Sequence, residues 1–224
     1  MRLQSRSLVM ESNYIRLYDN VFSPILCKNL IDTYEKLWRD QEEEIKRMSL
    51  CYTESGVKTC GACDCQRLDI MRHHEFQIPL KSVVSGLQNI INQYKKDADI
   101  HVSQWPAKFR YENLRIKRYL CNEDQQHDTH VDVDNIESTK RFLAIICYLN
   151  DDFDGGETQF PKFDVNIKPT TGGVLLFPCT WSYLHKGSKC NNGYAKYVLG
   201  SFLNYAVNQN FNRIGDKTLG TSKI

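Results

Sequence analysis

Apolar and polar residues follow two rhythms along this chain, a helical one in its first half and a shorter one in its second. Ser23 and Pro24 open the stretch SPILCKNLIDTYEKLWRDQEEEIKR as helix cap and first helical residue. Leu26, Leu30, Tyr34, Leu37 and Trp38 then fall on a single stripe. A stronger helix is predicted over residues 79–98, with Leu80, Val83, Val84, Leu87, Ile91 and Tyr94 in register. YIRLYDNVF, ahead of the first helix, alternates weakly and reads as a strand, and RLDIMRH between the helices is a further strand candidate. From Leu114 onward the segments LRIKRYL, RFLAIICYLN, ETQFPKFDVNIKP, GGVLLFP and KYVLGSFLNYAV are all strand-like. Gly155-Gly156, Gly172-Gly173 and Asn192-Gly193 punctuate them as turns. Helices first and many short strands afterwards imply an α+β chain whose second half closes into a barrel or sandwich. The stretch from Met48 to Gln66, rich in Cys and Gly, has no period and reads as a long loop, and the residues after Asn208 read as a polar, frayed tail.

Composition narrows the class without naming it. With 224 residues the chain is long enough for one domain with a full core and short for two. Its 41% hydrophobic and 25% charged residues are those of an ordinary globular protein. A net charge of +2 gives no reason to expect nucleic acid or a membrane surface as partner. Nothing approaches the roughly 18 apolar residues of a spanning helix. MRLQSRSLVMESNY lacks the apolar centre of a signal peptide, so a cytoplasmic protein is expected. In that reducing setting most of the nine cysteines are expected to be buried small hydrophobes, with no disulfide framework.

The chemistry centres on HVDVD, residues 130–134. An imidazole and a carboxylate two residues apart lie on one side of an extended segment, so His130 and Asp132 could reach one ion. Alone, that pair describes a solvated polar loop better than a metal site. His185, in SYLHKGSK, would complete a set of two histidines and one carboxylate, supplied by a facing strand. Such a set suits non-haem Fe(II) oxygenases. Lys196 opens the apolar strand KYVLGSFLNY. It is either a surface lysine with its stem along the strand or a buried cation awaiting a carboxylate. His127 is a competing imidazole without a carboxylate two residues on, and Asp134 is either a supporting contact or a loop carboxylate. Cys51, Cys60, Cys63 and Cys65, near His73 and His74, read as a free-thiol lid loop, with structural zinc as the alternative. The basic stretch KFRYENLRIKRY places Arg115, Lys117 and Tyr119 on one side of a strand, outer or pocket-facing.

The order RYLCNEDQQHDTHVDVD, AIICYLNDDFDGGETQFP, GGVLLFP, YLHKG, KYVLGSFLNY resembles the prolyl 4-hydroxylase group of 2-oxoglutarate- and Fe(II)-dependent dioxygenases. The likeness runs from about Leu114 to Tyr205, and is looser in the N-terminal strand and helix. It implies a double-stranded β-helix (jelly-roll, cupin-like) core at about residues 106–207, helical support at about 1–105, a tail at 208–224, and one dioxygenase domain in all. It also implies His130, Asp132 and His185 as iron ligands and Lys196 on the distal carboxylate of 2-oxoglutarate, with Tyr119, Tyr148 and Thr158 lining that pocket. The interval from His185 to Lys196 is about one residue longer than the family pattern, and the Asn191-Asn192-Gly193 turn can hold the extra residue. Fe(2+), 2-oxoglutarate and O2, with ascorbate as reductant, would be the cofactors, and succinate and CO2 the co-products. The implied substrate is a proline-containing peptide or protein, and nothing in the sequence sets an oligomeric state. Lysine, a free amino acid or a nucleic acid are rival substrates, and a non-catalytic cupin-like metal-binding module is the rival outside enzymes.

Overall fold

The computed structural model describes residues 14–41, 65–121, 123 and 125–206. In chain order its main elements begin with β1 (Arg16–Tyr18), α1 (Pro24–Asp40), β2 (Gln66–Asp69), α2 (Gln77–Asp97), β3 (Phe109–Tyr111) and β4 (Arg115–Leu120). There follow β5 (His127–His130), β6 (Arg141–Tyr148), β7 (Asp154–Gly155), β8 (Thr158–Phe160), β9 (Val165–Ile167) and β10 (Val174–Pro178). The last are β11 (His185–Gly187), β12 (Cys190–Asn191) and β13 (Ala195–Tyr205). This is the expected α+β class.

The larger sheet has seven strands, in the order β1-β10-β6-β13-β4-β2, with β3 also paired to β13. A second sheet runs β5-β11-β8-β9, and β12 pairs with β7. All these pairings are antiparallel. The large sheet has apolar cover on both faces, which explains why β6 and β10 read as nearly unbroken apolar runs. Leu143, Ile145, Cys147, Val174, Leu176 and Leu199 pack with the two helices. Their neighbours Ala144, Tyr148, Leu175, Phe177 and Val198 pack instead with Phe160, Ile167 and Tyr183 from the side of the second sheet.

Helix α1 starts as its sequence predicts. The Ser23 hydroxyl accepts a hydrogen bond from the Leu26 amide at 3.2 Å, and Pro24 fills the position where a missing N–H costs nothing. Its buried stripe is Cys27, Leu30, Tyr34, Leu37 and Trp38, with Leu26 only half-buried. In α2 the buried residues are Val83, Leu87, Ile90, Ile91 and Tyr94. Val84, expected in that stripe, is 39% exposed, because a step from Val83 to Leu87 and on to Ile90 and Ile91 follows the 3.6-residue turn more closely. Helix α1 is tied to the sheet by Arg118. It donates two hydrogen bonds to Glu35 at 2.6 and 2.8 Å and two to Gln66, one from Nε at 2.6 Å and one from Nη2, and it lies over the Trp38 ring at 5.0 Å. Tyr197 donates to the same Glu35 carboxylate at 2.6 Å.

Three details depart from the sequence reading. The strand in RLDIMRH stops at Asp69, whose carboxylate accepts the Met71 amide at 3.1 Å and turns the chain into a short 3-10 helix. ETQFPKFDVNIKP is two strands, separated by the 3-10 turn Pro161–Phe163 and a left-handed Asp164 at φ 51°. Among the described cysteines, Cys27, Cys121, Cys147, Cys179 and Cys190 are free and buried, whereas Cys65 is disulfide-bonded. A sulfur held in a disulfide has no thiolate to give a metal, so Cys65 departs from both the free-thiol and the zinc reading. Residues 48–64 of the Cys-rich segment, the N-terminal 13 residues and the predicted tail lie outside the described residues, while Gln66, the last of that segment, opens β2. Among the described residues, no helix is long and apolar enough to cross a membrane.

Candidate metal centre

His130 is the last residue of β5, and His185 the first of β11, and the two are direct register partners across that antiparallel pair. The second histidine therefore comes from the neighbouring strand of the smaller sheet rather than from a facing one. Asp132 lies beyond the end of β5, in the loop that leads to β6. The strand ladder ends at His130, so the two are not held by one paired strand, and the loop returns the Asp132 carboxylate to the histidines. His130 Nε2 lies 3.6 Å from Asp132 Oδ1, and His185 Nε2 lies 3.9 Å from Asp132 Oδ2. One ligand atom from each of the three falls within 4.8 Å of the others.

The hydrogen bonds around this cluster leave the correct atoms available. His130 Nδ1 contacts the Asp128 carbonyl at 2.7 Å, and His185 Nδ1 contacts the Tyr183 carbonyl at 2.9 Å. A carbonyl can only accept, so each Nδ1 carries the proton and each Nε2 presents a lone pair inward. Asp132 Oδ2 is buried and has no hydrogen-bond partner. A buried, unpaired carboxylate oxygen is costly, and a divalent cation is the partner this geometry fits. Burial lowers the pKa of His185 against the opposing pull of Asp132, which keeps the ring neutral and fit to ligate. His127 stacks on His130 at 3.9 Å between ring centroids but stands outside the converging set. Asp134 caps its own loop, accepting from Asn135 Nδ2 at 2.8 Å and Ser138 Oγ at 3.3 Å.

The cluster opens into a cleft of about 820 Å3 between the sheets, lined also by Lys117, Tyr119, Thr158 and Lys196. Lys196 is 5% exposed and donates to the Gly156 carbonyl at 2.6 Å. Its ammonium faces the rings of Tyr119 at 5.5 Å and Tyr148 at 6.0 Å. Burial pulls its pKa down to about 8. Gly156 has φ +70°, and a Cβ there would come within 2.6 Å of the Phe153 ring and 3.2 Å of Lys196 Cδ. The glycine thus serves both the turn and the seat of the lysine. Tyr148 and Thr158 share a buried hydrogen bond of 2.7 Å between their hydroxyls. Arg115, Lys117 and Tyr119 all line the cleft, which makes theirs the pocket-facing side of β4.

The sequence reading missed Glu112 and Arg141, which also line the cleft. A signal for Arg141 was present: like Lys196, it is a cation at the start of an apolar strand.

Comparison with known proteins agrees with this layout. Residues 114–204 match the model of the 2OG-Fe(II) oxygenase superfamily. The matched segment runs from just before β4 to the penultimate residue of β13 and contains every residue of the cluster and of the lysine pocket. Over 88 residues the chain is 32% identical to a putative prolyl 4-hydroxylase of Acanthamoeba polyphaga mimivirus, covering 36% of this chain and 35% of the viral protein. The chain thus spans about a third of the length of that curated relative. The structure is similar to the viral collagen prolyl hydroxylase vCPH of Paramecium Bursaria Chlorella virus-1, solved with 2-oxoglutarate. The TM-score is 0.63 at 19% identity, covering 88% of this chain and 99% of that one. It is also similar to a Trichoplax adhaerens prolyl hydroxylase, solved with a hypoxia inducible factor peptide fragment. There the TM-score is 0.62 at 13% identity, covering 87% and 84%. Across this segment the chain resembles prolyl 4-hydroxylase-like 2-oxoglutarate oxygenases.

Proposed function

We propose that this protein is a 2-oxoglutarate- and Fe(II)-dependent dioxygenase that hydroxylates proline in a peptide or protein substrate. The observation that carries the reading is the convergence of His130, Asp132 and His185 around an unpaired buried carboxylate oxygen, in the same cleft as a buried lysine. Three ligands on one face leave other positions open for a chelating co-substrate and O2. A non-catalytic metal-binding module has no need of a second buried cation. In this reading the two sheets form a double-stranded β-helix, with helices α1 and α2 as its outer support and the whole chain as one domain.

When bound, iron and 2-oxoglutarate would let O2 oxidise an unactivated C–H bond, with succinate and CO2 as co-products and ascorbate as protective reductant. The rest falls to the chain. His130 and His185 are oriented through their Nδ1 protons, so both present neutral Nε2 lone pairs. Lys196 would donate to the distal carboxylate of 2-oxoglutarate, and its hydrogen bond to Gly156 holds the ammonium in place until then. The Tyr148–Thr158 hydroxyl pair offers that carboxylate a further donor. Tyr119 forms an aromatic wall beside the ammonium. The relatives named above suggest proline as the substrate residue.

The test is incubation with Fe(II), 2-oxoglutarate, ascorbate and a library of proline-rich peptides. A gain of one oxygen on proline, matched by equal succinate, is the expected result. Oxygen on lysine or on a nucleobase would overturn the substrate assignment, and metal binding without 2-oxoglutarate turnover would overturn the enzyme.

A further inference from the structure

Of the three side chains that converge, two are aimed by their own hydrogen bonds and one is not. The histidines are fixed through Nδ1 to the carbonyls of Asp128 and Tyr183. The Asp132 carboxylate makes no such bond at Oδ2, and it sits on a loop where no strand ladder holds it. Its position therefore depends on how its backbone is held. The contact that holds it is Arg141 Nη1, which donates to the Asp132 carbonyl at 3.1 Å.

Arg141 is itself held by a carboxylate and an aromatic ring. Its Nε and Nη2 both donate to the Glu112 carboxylate at 2.8 Å, a two-pronged pairing that sets the plane of the guanidinium. That plane lies over the Phe202 ring, 4.1 Å from its centroid. Glu112 also accepts from Arg115 at 3.3 Å, and its backbone carbonyl accepts from the Ser201 hydroxyl at 2.7 Å, which ties it to β13. Burial alone would raise the Glu112 pKa, but the hydrogen bonds and charge of Arg141, followed by those of Arg115, bring it below the ordinary carboxylate value. The loop is closed from inside as well. Ser138 Oγ accepts from the amides of Asp134 and Asn135 at 3.1 Å, and the Arg141 amide donates to the Ser138 carbonyl at 2.9 Å.

We infer that Arg141, clamped by Glu112, is a positioning residue that sets the Asp132 carboxylate for the metal. The inference rests on the proposed metal centre and adds to it a supporting layer built from β6 and from the segment between β3 and β4. A lysine is not an adequate substitute. A single ammonium has no planar fork to meet both Glu112 oxygens while it reaches the Asp132 carbonyl.

The experiment measures Mn2+ alone, without co-substrate or peptide, by calorimetry under anaerobic conditions, together with the visible spectrum of the Co2+-loaded protein. Wild type is expected to bind one equivalent. Arg141→Gln is expected to weaken Mn2+ binding by about tenfold to a hundredfold, the usual loss when a residue supporting a metal ligand is removed. Its Co2+ spectrum should shift while its circular dichroism stays that of wild type. Arg141→Lys should recover only part of the affinity. Should Arg141→Gln fail to fold, Glu112→Gln removes one charge from the clamp and should show a smaller loss in the same direction. A folded Arg141→Gln with wild-type Mn2+ affinity and an unshifted Co2+ spectrum would overturn the inference. If its KM for peptide rose at the same time, Arg141 would be a substrate contact instead. Failure of the wild type itself to bind Mn2+ would strike the proposed metal centre, a result distinguishable from either.

Discussion

An ammonium that is 5% exposed, with a backbone carbonyl for company, is an unfinished interaction. Lys196 has left water for a site where a carboxylate would complete it, and the same burial brings its pKa to about 8. A hydrogen bond to a charged group is worth on the order of 1.5–3 kcal/mol, and ~1.4 kcal/mol is tenfold in affinity. Lys196→Ala is therefore expected to raise the Kd for 2-oxoglutarate by about tenfold to a hundredfold. Lys196→Arg keeps the charge but brings a larger planar head, and it should fall between wild type and alanine. Tyr148→Phe removes one neutral hydroxyl and should be the mildest. The pH dependence has a definite sign. The ligand-free protein loses the Lys196 proton as pH rises through about 8, and in the proposed role the co-substrate anion would bind the protonated form. Affinity should be level from neutrality up to about pH 7.5 and then weaken toward about tenfold per pH unit. Calorimetric titration against pH reads this directly. A flat profile to pH 9.5 would mean that another cation holds the anion.

At the scale of elements, a pattern is legible in a sequence when it repeats. Helices α1 and α2 and the long strands β4, β6, β10 and β13 all announce themselves by period, cap or unbroken apolar run. The short strands do not. β5 is HDTH, four polar residues whose half-buried and exposed positions carry no apolar alternation, and β7 and β12 have two residues each. The centre was legible by residue type and by the spacing from His130 to Asp132, but not its register. That His185 lies directly opposite His130 is a property of strand pairing, which one chain segment cannot encode alone. The same holds for Arg118, which reads as one more basic residue in LRIKRYL. In the structure it is 5% exposed and joins α1 to both β4 and β2 through Glu35 and Gln66. Removing one partner of such a pair leaves the other charge stranded. Arg118→Ala is expected to cost about 3 kcal/mol, the low end for a broken buried pair, because the Glu35 side chain keeps 26% exposure. Urea denaturation would measure it. A change under about 0.5 kcal/mol, the usual size for a surface substitution, would mean the link carries no structural weight.

For the whole molecule, the question is whether the family-matched segment, residues 114–204, is a unit apart from what precedes it. The topology argues against separation. β1 pairs with β10 at one edge of the large sheet, and β2 pairs with β4 at the other, so residues outside 114–204 cap both edges of the sheet beside the candidate centre. Without them two strand edges would be left open and the helix-facing apolar side of the sheet would be bare. Helices, edges and centre should therefore unfold together in one transition, and a ligand at the centre should stabilise all of it. Binding at one hundred times the Kd adds about 2.7 kcal/mol. For a chain of this size each kcal/mol is worth roughly 2–4 °C in Tm, so Mn2+ with 2-oxoglutarate should raise the transition by about 5–10 °C. The far-UV signal of the helices and the near-UV signal of the cleft aromatics should move together. His185→Ala should keep a single transition and lose the Mn2+-dependent shift, since two ligands on a loop and a strand end hold a metal poorly. A shift confined to the near-UV signal, with the helices melting at their original temperature, would show that the helical layer and the half carrying the candidate centre are separate cooperative units.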